Sequence, residues 1–206
     1  MRVAVVGGTG PFGRALATRL RQAGVDVVVG SRDLDRAQTV ASELGVEGAA
    51  NEHAVEGVDL VVLAVNADAA LDTARALRDA IGTTPVLSVA SELRFTGAGV
   101  LPCSDSSSLA ERLQAELAAP VVAGLHSLAA ASLGSEAPPD EDALVCGDDA
   151  RAKELALELA ARIVGGRAID AGPLASARAL EGLTAVIVNL NKRYRVHAGI
   201  RVTGLD

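Results

Sequence analysis

The feature that most constrains this chain is a glycine-rich turn directly after its first apolar run. Val3-Ala4-Val5-Val6 is typical of a buried strand in a parallel sheet, and it leads into Gly7-Gly8-Thr9-Gly10-Pro11-Phe12-Gly13. Residues 14–23 then show the apolar spacing of a helix, and residues 25–29 form a second apolar run. A glycine turn between a strand and a helix, within a βαβ unit, predicts a dinucleotide-binding site.

The glycines have the spacing G-x-G-x-x-G, which Gly8, Gly10 and Gly13 supply. We expect Gly8 to allow the tight turn, Gly10 to let backbone approach a pyrophosphate, and Gly13 to let the helix pack on the strand. Pro11 falls early in the helix, where a missing N–H costs nothing. The free amides of that first helical turn would face the phosphates.

The residues after the second strand favour NADP over NAD. An NAD site usually has an acidic residue there to hold the ribose hydroxyls. This chain has Ser31 and Arg32, with Arg36 one turn later, and Thr9 offers a further hydroxyl. A hydroxyl and two guanidinium groups attract a 2′-phosphate. The alternative is that Ser31 or Asp33 caps the next helix while the arginines are only solvated.

Alternation of apolar strands with helical segments predicts an α/β fold of the Rossmann type, a doubly wound and mostly parallel sheet. We expect a dinucleotide-binding domain over 1–125 and a smaller C-terminal part over 126–206, on the substrate side, that ends in a helix from about 174 to 190. Residues 91–108 are rich in Ser and Gly and predict a loop. Further strands are predicted at 59–65, 85–88, 121–124, 143–146 and 167–170.

Composition argues against several other classes. The net charge is −7 and the aromatic residues are two Phe and one Tyr, so a nucleic-acid interface is not expected. The apolar runs are shorter than the ~20 residues of a membrane span, so we expect no membrane partner. The cysteines and histidines show no metal-ligand spacing. Two cysteines, Cys103 and Cys146, and no N-terminal signal pattern lead us to expect a cytoplasmic protein.

A set of motifs extends over nearly the whole length of the chain. They are Gly7-Gly8-Thr9-Gly10, Val29-Gly30-Ser31-Arg32, Leu125-His126-Ser127, Val145-Cys146-Gly147-Asp148-Asp149, Asp170-Ala171-Gly172-Pro173-Leu174 and Ser176-Ala177-Arg178, with Glu181, Leu183, Thr184 and Asn189. On these motifs the chain resembles the family of NADPH-dependent coenzyme F420 reductases, in which a 5-deazaflavin is the co-substrate. The first two motifs recur in many Rossmann enzymes, and the later ones are more particular to this family.

The resemblance implies a function and a set of site residues. The function is direct hydride transfer between NADP(H) and coenzyme F420 in an NADP-dependent oxidoreductase. Thr9 to Phe12 would touch the pyrophosphate, while Ser31, Arg32 and Arg36 would take the 2′-phosphate. The nicotinamide half would lie along Val65, Ala69, Ser91 and Ala130, and the deazaflavin would be held by His126, Ser127, Leu128 and Ala198.

Two departures keep other functions open. A proline and a bulky aromatic residue are expected after the third strand, where this chain has Asn66-Ala67, and Val89-Ala90 replaces an expected proline after the fourth. The alternatives are an NADP-dependent reductase of a small carbonyl or imine, or an NADPH-binding sensor without turnover. The carbonyl or imine reaction needs a proton donor.

Transfer between two hydride carriers requires no acid, base or nucleophile, so we assign no catalytic side chain. His126 is the one candidate for acid–base work, against a simpler role in shaping the pocket. The apolar C-terminal helix makes a homodimer the expected assembly.

Overall fold

Within residues 1–205, the part of the chain that the computed structural model describes, eight strands form one sheet. The strands of the structure are β1 Arg2–Val6, β2 Asp26–Ser31, β3 Glu47–Ala50, β4 Leu60–Leu63, β5 Val86–Ser88, β6 Leu93–Thr96, β7 Gly99–Pro102, β8 Val121–Gly124, β9 Ala143–Gly147 and β10 Ala168–Asp170. The order in the eight-stranded sheet is β10-β9-β8-β5-β4-β1-β2-β3, and every neighbouring pair is parallel except β8 and β9. The predicted α/β, mostly parallel fold is therefore confirmed.

Helices cover both faces of this sheet because alternate strand residues point to opposite sides. The helices are α1 Pro11–Gln22, α2 Leu34–Leu44, α3 Asn51–Ala54, α4 Ala67–Ile81, α5 Leu109–Glu116, α6 Ala130–Leu133, α7 Ala150–Ile163 and α8 Ala177–Tyr194, with a 3₁₀ turn at Leu174–Ser176. Val3 and Val5 pack with α1, α2 and α7, whereas Ala4 and Val6 pack with α4, α5 and the start of α8. This is the doubly wound arrangement that the sequence predicts.

The prediction of a loop over 91–108 is wrong for its first half, which forms the antiparallel hairpin β6–β7. The hairpin is held by a distant residue, since the Asn189 side chain of α8 pairs with both backbone groups of Val100 at 2.9 and 2.7 Å. The edge strand β3 was also not predicted. It lacks β-branched residues and forms by pairing with β2.

The predicted boundary at residue 125 falls inside this sheet, because β9 and β10 extend it beyond β8. The division into parts 1–125 and 126–206 stays a prediction, and its last residue lies outside the described range. The strand β9 is antiparallel to β8, and β10 is parallel to β9. The first residues of β9 and β10 therefore lie at the edge of the sheet where the parallel strands end. Among the described helices, none combines the length and the apolar character that a membrane crossing requires.

Candidate cofactor and substrate cleft

The glycine turn after β1 is shaped by close backbone contacts. Gly7 adopts a φ of 81°, and a Cβ there would lie 2.6 Å from the Ala64 carbonyl oxygen. A Cβ on Gly8 would lie 2.8 Å from the Val5 carbonyl oxygen, so the tight turn depends on Gly7 as well as on the expected Gly8. A Cβ on Gly13 would lie 2.4 Å from the Gly7 carbonyl oxygen, so α1 packs on this turn only because position 13 has no side chain.

The start of α1 is open at its N-cap, and Pro11 lies in the first helical turn, as the sequence predicts. Gly10 is the N-cap and Pro11 the first helical residue. A Cβ on Gly10 would meet one atom, the Gly7 carbonyl oxygen at 3.4 Å, so this position is open to a ligand. Helix starts leave backbone N–H groups without intrahelical acceptors, and these groups favour an anion.

Predicted cofactor residues meet in a cleft of about 290 Å³, which we call the glycine-turn cleft. It lies at the carboxyl ends of β1, β2 and β4, where ligands gather in such folds. The residues that line it include Thr9, Gly10, Ser31, Arg32, Arg36, Val65 and Ala69.

At one end of this cleft, side chains compatible with a phosphate come together. Arg32 and Arg36 are exposed, and neither takes part in the ion pairs found among residues 1–205. Asp33 caps α2 by accepting from the Arg36 amide at 3.1 Å, so the capping alternative holds for Asp33. The Ser31 oxygen accepts from the Asp33 amide at 3.2 Å, which leaves the Ser31 proton available to an acceptor.

A second cleft, of about 390 Å³, continues from the first, and we call it the His126 cleft. The two share Gly10, Val65 and Asn66, so they form one groove. Both departures from the family pattern lie in its wall, at Asn66-Ala67 and Val89-Ala90. Its other lining residues include Pro11, Phe12, Ser91, Leu125, His126, Leu128, Ala130 and Thr184.

The imidazole of His126 is buried and neutral. Burial lowers the pKa of His126 to about 4, and the nearby Ala90 backbone offsets this only in part. Neither ring nitrogen has a hydrogen-bond partner of ordinary geometry within the described chain. The preceding residue, Leu125, has a φ of 64°, which is strained for a bulky side chain.

Two predicted substrate residues do not line the His126 cleft. Ser127 is buried behind His126 against Leu144, Leu180 and Leu183. Ala198 lies in the segment after α8, where its amide donates to the Asn191 side chain at 2.6 Å. Gly8 and Gly13 contribute through backbone packing rather than through the cleft surface.

Sequence reasoning assigned no role to several residues that the fold brings to the groove. Asn51 and Thr73 line the glycine-turn cleft, and Thr184 of α8 reaches the His126 cleft. The Asn51 Oδ1 atom is buried without a hydrogen-bond partner among residues 1–205, and it lies where a side chain on Gly30 would clash. The resemblance already included Thr184, and this was the one available signal for it.

A different cluster lies outside the groove. Glu92, Cys103 and Asp105 each bring one ligand atom within 4.8 Å of the others. Arg112 pairs with Glu92 and approaches Asp105 at 3.6 Å, so a cation of the protein already neutralises these carboxylates. We therefore assign no metal there.

The groove has the features that Rossmann folds use to bind a dinucleotide. They are the close packing at Gly7 and Gly13, the open helix start at Gly10, and the cations of Arg32 and Arg36, which have no ion-pair partner among residues 1–205. Together with the doubly wound sheet, this defines the class of NADP-binding oxidoreductases with a Rossmann fold.

Comparison with known proteins makes the assignment specific. Residues 2–92 match the family model for "NADP oxidoreductase coenzyme F420-dependent". The F420-dependent NADP reductase of Methanothermobacter thermautotrophicus is 37% identical over 225 residues, which covers 100% of this chain and 96% of the relative. The corresponding protein of Methanothermobacter marburgensis is 35% identical, with 100% and 99% covered. The chain therefore belongs to the family of F420-dependent NADP reductases.

A solved structure agrees with this assignment. A protein from Arthrobacter sp. FB24, named as an F420-dependent NADP reductase, superposes with a TM-score of 0.83 at 26% identity. The match covers 98% of this chain and 99% of that one.

Proposed function

We propose that this protein transfers a hydride directly between NADP(H) and coenzyme F420. One continuous groove carries the proposal, because it joins unpaired arginines to the His126 cleft in a chain whose full-length relatives are F420-dependent NADP reductases. When bound, the two coenzymes supply the hydride donor and acceptor, and transfer requires their reacting carbons about 3–3.5 Å apart with water excluded.

The glycine-turn cleft would hold the phosphates of NADP(H). The amides at the start of α1, next to Thr9, Gly10 and Pro11, would bind the pyrophosphate. Ser31, Arg32 and Arg36 would bind the 2′-phosphate, which gives them their charge partner. Val65 and Ala69 would lie beside the chain between the two ends.

The His126 cleft would bring the nicotinamide and the deazaflavin together. Phe12, Ser91 and Ala130 would lie along the nicotinamide, and His126 and Leu128 against the deazaflavin. Direct contact of Ser127 and Ala198 with the deazaflavin stays a prediction, since neither lines this cleft.

The state of His126 supports transfer between carriers over reduction of a small carbonyl or imine. With a pKa of about 4, the side chain is neutral at pH 7 and holds no proton ready for release. A neutral imidazole still offers one N–H and one lone pair, which suits the polar edge of a flat ring. We assign His126 a role in binding rather than in acid–base catalysis.

We further propose a cytoplasmic homodimer. Most of the exposed large apolar side chains are on α8 and the β6–β7 hairpin, which contact each other. They are Phe95, Leu101, Val186, Leu190 and Tyr194, and such a concentration favours a protein partner. Cys103 and Cys146 are free thiols, which suits a reducing compartment.

The test is spectroscopic. Purified protein is mixed with NADPH and oxidised coenzyme F420, and the deazaflavin absorbance is followed with NADH as the control. Rapid bleaching with NADPH, and slow or no bleaching with NADH, is expected. Tight NADPH binding without bleaching would contradict the proposal and favour a sensor or a different acceptor.

A further inference from the structure

A chain of two hydrogen bonds crosses the His126 cleft and connects segments that are far apart in sequence. The hydroxyls of Ser91 and Thr184 lie 2.7 Å apart, and the Thr184 hydroxyl donates to the His126 carbonyl oxygen at 2.9 Å. All three residues line the cleft. Thr184 therefore connects α8 to Ser91 on one side of the cleft and to His126 on the other.

The number of protons sets the direction of this chain. A carbonyl oxygen only accepts, so the single Thr184 proton is committed to His126. The contact between Ser91 and Thr184 then requires Ser91 to be the donor. With its proton committed, Ser91 presents only lone pairs to the cleft, and it acts there as an acceptor.

Thr184 is held firmly enough to impose this direction. One turn before it, the buried Glu181 carboxylate accepts from the amides of Leu109 and Ala110 at 3.1 and 3.2 Å. Further along α8, Asn189 pairs with both backbone groups of Val100. The same hydroxyl also secures the strained Leu125–His126 turn at its carbonyl.

We infer that Thr184 is a positioning residue that makes Ser91 a hydrogen-bond acceptor for the carboxamide NH₂ of a nicotinamide. An amide NH₂ is a pure donor and matches such an acceptor, whereas a water or hydroxyl ligand would not need the direction to be set. The inference rests on the proposed function only in that NADP(H) occupies the His126 cleft.

The test is a binding preference. The dissociation constants of NADP⁺ and of its 3-acetylpyridine analogue, in which a methyl group replaces the NH₂, are measured by calorimetry. Wild-type protein should prefer NADP⁺ by about 5- to 10-fold, the range of one good hydrogen bond. Thr184→Val retains the shape of the side chain but frees the Ser91 proton, so the preference should fall to about 2-fold or less.

Two further variants keep the test decisive. Thr184→Ser retains the hydroxyl and should therefore keep the wild-type preference for NADP⁺ over the analogue. If only the methyl group of Thr184 mattered, for packing, this variant would lose the preference. Ser91→Ala removes the acceptor itself and should abolish the preference even where Thr184→Val does not fold. An unchanged preference in folded Thr184→Val or in Ser91→Ala would overturn the inference, as would a wild-type protein without any preference.

The outcome is separate from that of the proposed function. A wild-type protein that prefers NADP⁺ over the analogue but does not reduce coenzyme F420 would support the role of Thr184 and contradict the proposed acceptor. Reduction of coenzyme F420 without such a preference would do the reverse.

Discussion

At the sheet edge where the parallel strands end, arginines lie near both outer strands, but only those on one side have partners within the described chain. At the end of β2, Arg32 and Arg36 are exposed and take part in none of the ion pairs among residues 1–205. At the start of β10, Arg167 pairs with the buried Asp142 carboxylate at 2.9 Å and also donates to the carbonyls of Val202 and Leu205. One end is open and the other is closed by the chain itself.

The difference shows how to separate a binding site from a structural network. Asp142 also accepts from the backbone amides of Arg167 and Val202, and the Arg167 guanidinium holds the pKa of Asp142 well below its usual value. Every strong donor there has an acceptor within the protein. The cations at the open end lack one among residues 1–205, and in the proposed complex a 2′-phosphate would supply the missing charge.

The largest effect is expected from breaking the closed end. Asp142→Ala leaves the half-exposed Arg167 charge and two partly buried amides without their acceptor, so the free energy of unfolding should fall by about 2–3 kcal/mol, the upper range of lost hydrogen bonds to a charged group. Denaturant unfolding at pH 7 measures this. Because the pKa of Asp142 is lower in the folded state, its contribution is present above the unfolded pKa of about 4 and is lost as the pH falls further.

A matched control is the neighbouring pair. Asp140 pairs with Arg201 on the surface, where its side chain is 85% exposed, so Asp140→Ala should cost less than about 1 kcal/mol. If Asp142→Ala and Asp140→Ala lowered the free energy of unfolding by similar amounts, the network around Asp142 would contribute no more to stability than a surface ion pair.

The next effect concerns the open end. Arg32→Ala should weaken the binding of NADPH by about 10- to 100-fold, the range of a lost charge-assisted hydrogen bond, with little change for NADH. Titration with each coenzyme measures both constants. Arg151→Ala, at an exposed arginine of α7 that pairs with Glu154, is the matched control and should change neither. Equal losses for NADPH and NADH would refute the assignment of the 2′-phosphate site.

The last effect concerns a buried carboxyl with an incomplete set of partners, which is neither fully paired like Asp142 nor exposed like Arg32. Glu141 packs against Gly199, its Oε2 atom has no partner within the described chain, and burial raises its pKa to about 7. A raised pKa contributes stability that is complete below the unfolded value and is lost as the pH rises through about 7.

Glu141→Gln removes this titration. Relative to wild type, the gain in the free energy of unfolding should be clearly larger at pH 8 than at pH 5, as measured by denaturant unfolding at both values. The same change at the exposed Glu136 is the control and should shift neither curve. A gain of the same size at both pH values would mean that the carboxyl does not titrate in this range.

Much of the site near the N-terminus was predictable because it is built from neighbours in sequence. The strand β1, the turn at 7–13 and the Ser31-Arg32 pair lie within one βαβ unit, where steric rules for glycine and proline and the sign of charge suffice. The part that Gly7 plays beside Gly8 was not predicted, because it depends on Ala64, the residue just after β4, whose carbonyl oxygen leaves no room for a side chain on Gly7.

Other features could not be predicted because they depend on contacts between distant segments. The hairpin at 93–102 has a weak strand pattern and is held by Asn189 from α8. Ser127 belongs to the motif Leu125-His126-Ser127, which predicts a contact with the substrate. In the structure it packs with Leu180 and Leu183 behind the His126 cleft.

The sequence by itself determined the class of fold, the position of the glycine turn and the charge that favours NADP, because each depends on local periodicity, local sterics or adjacent charges. The tertiary structure alone decided which arginines among residues 1–205 have partners, that His126 is neutral and that the Thr184 hydroxyl lies between the Ser91 hydroxyl and the His126 carbonyl. These depend on burial and on hydrogen bonds between residues 58 and 93 positions apart, which no local pattern encodes.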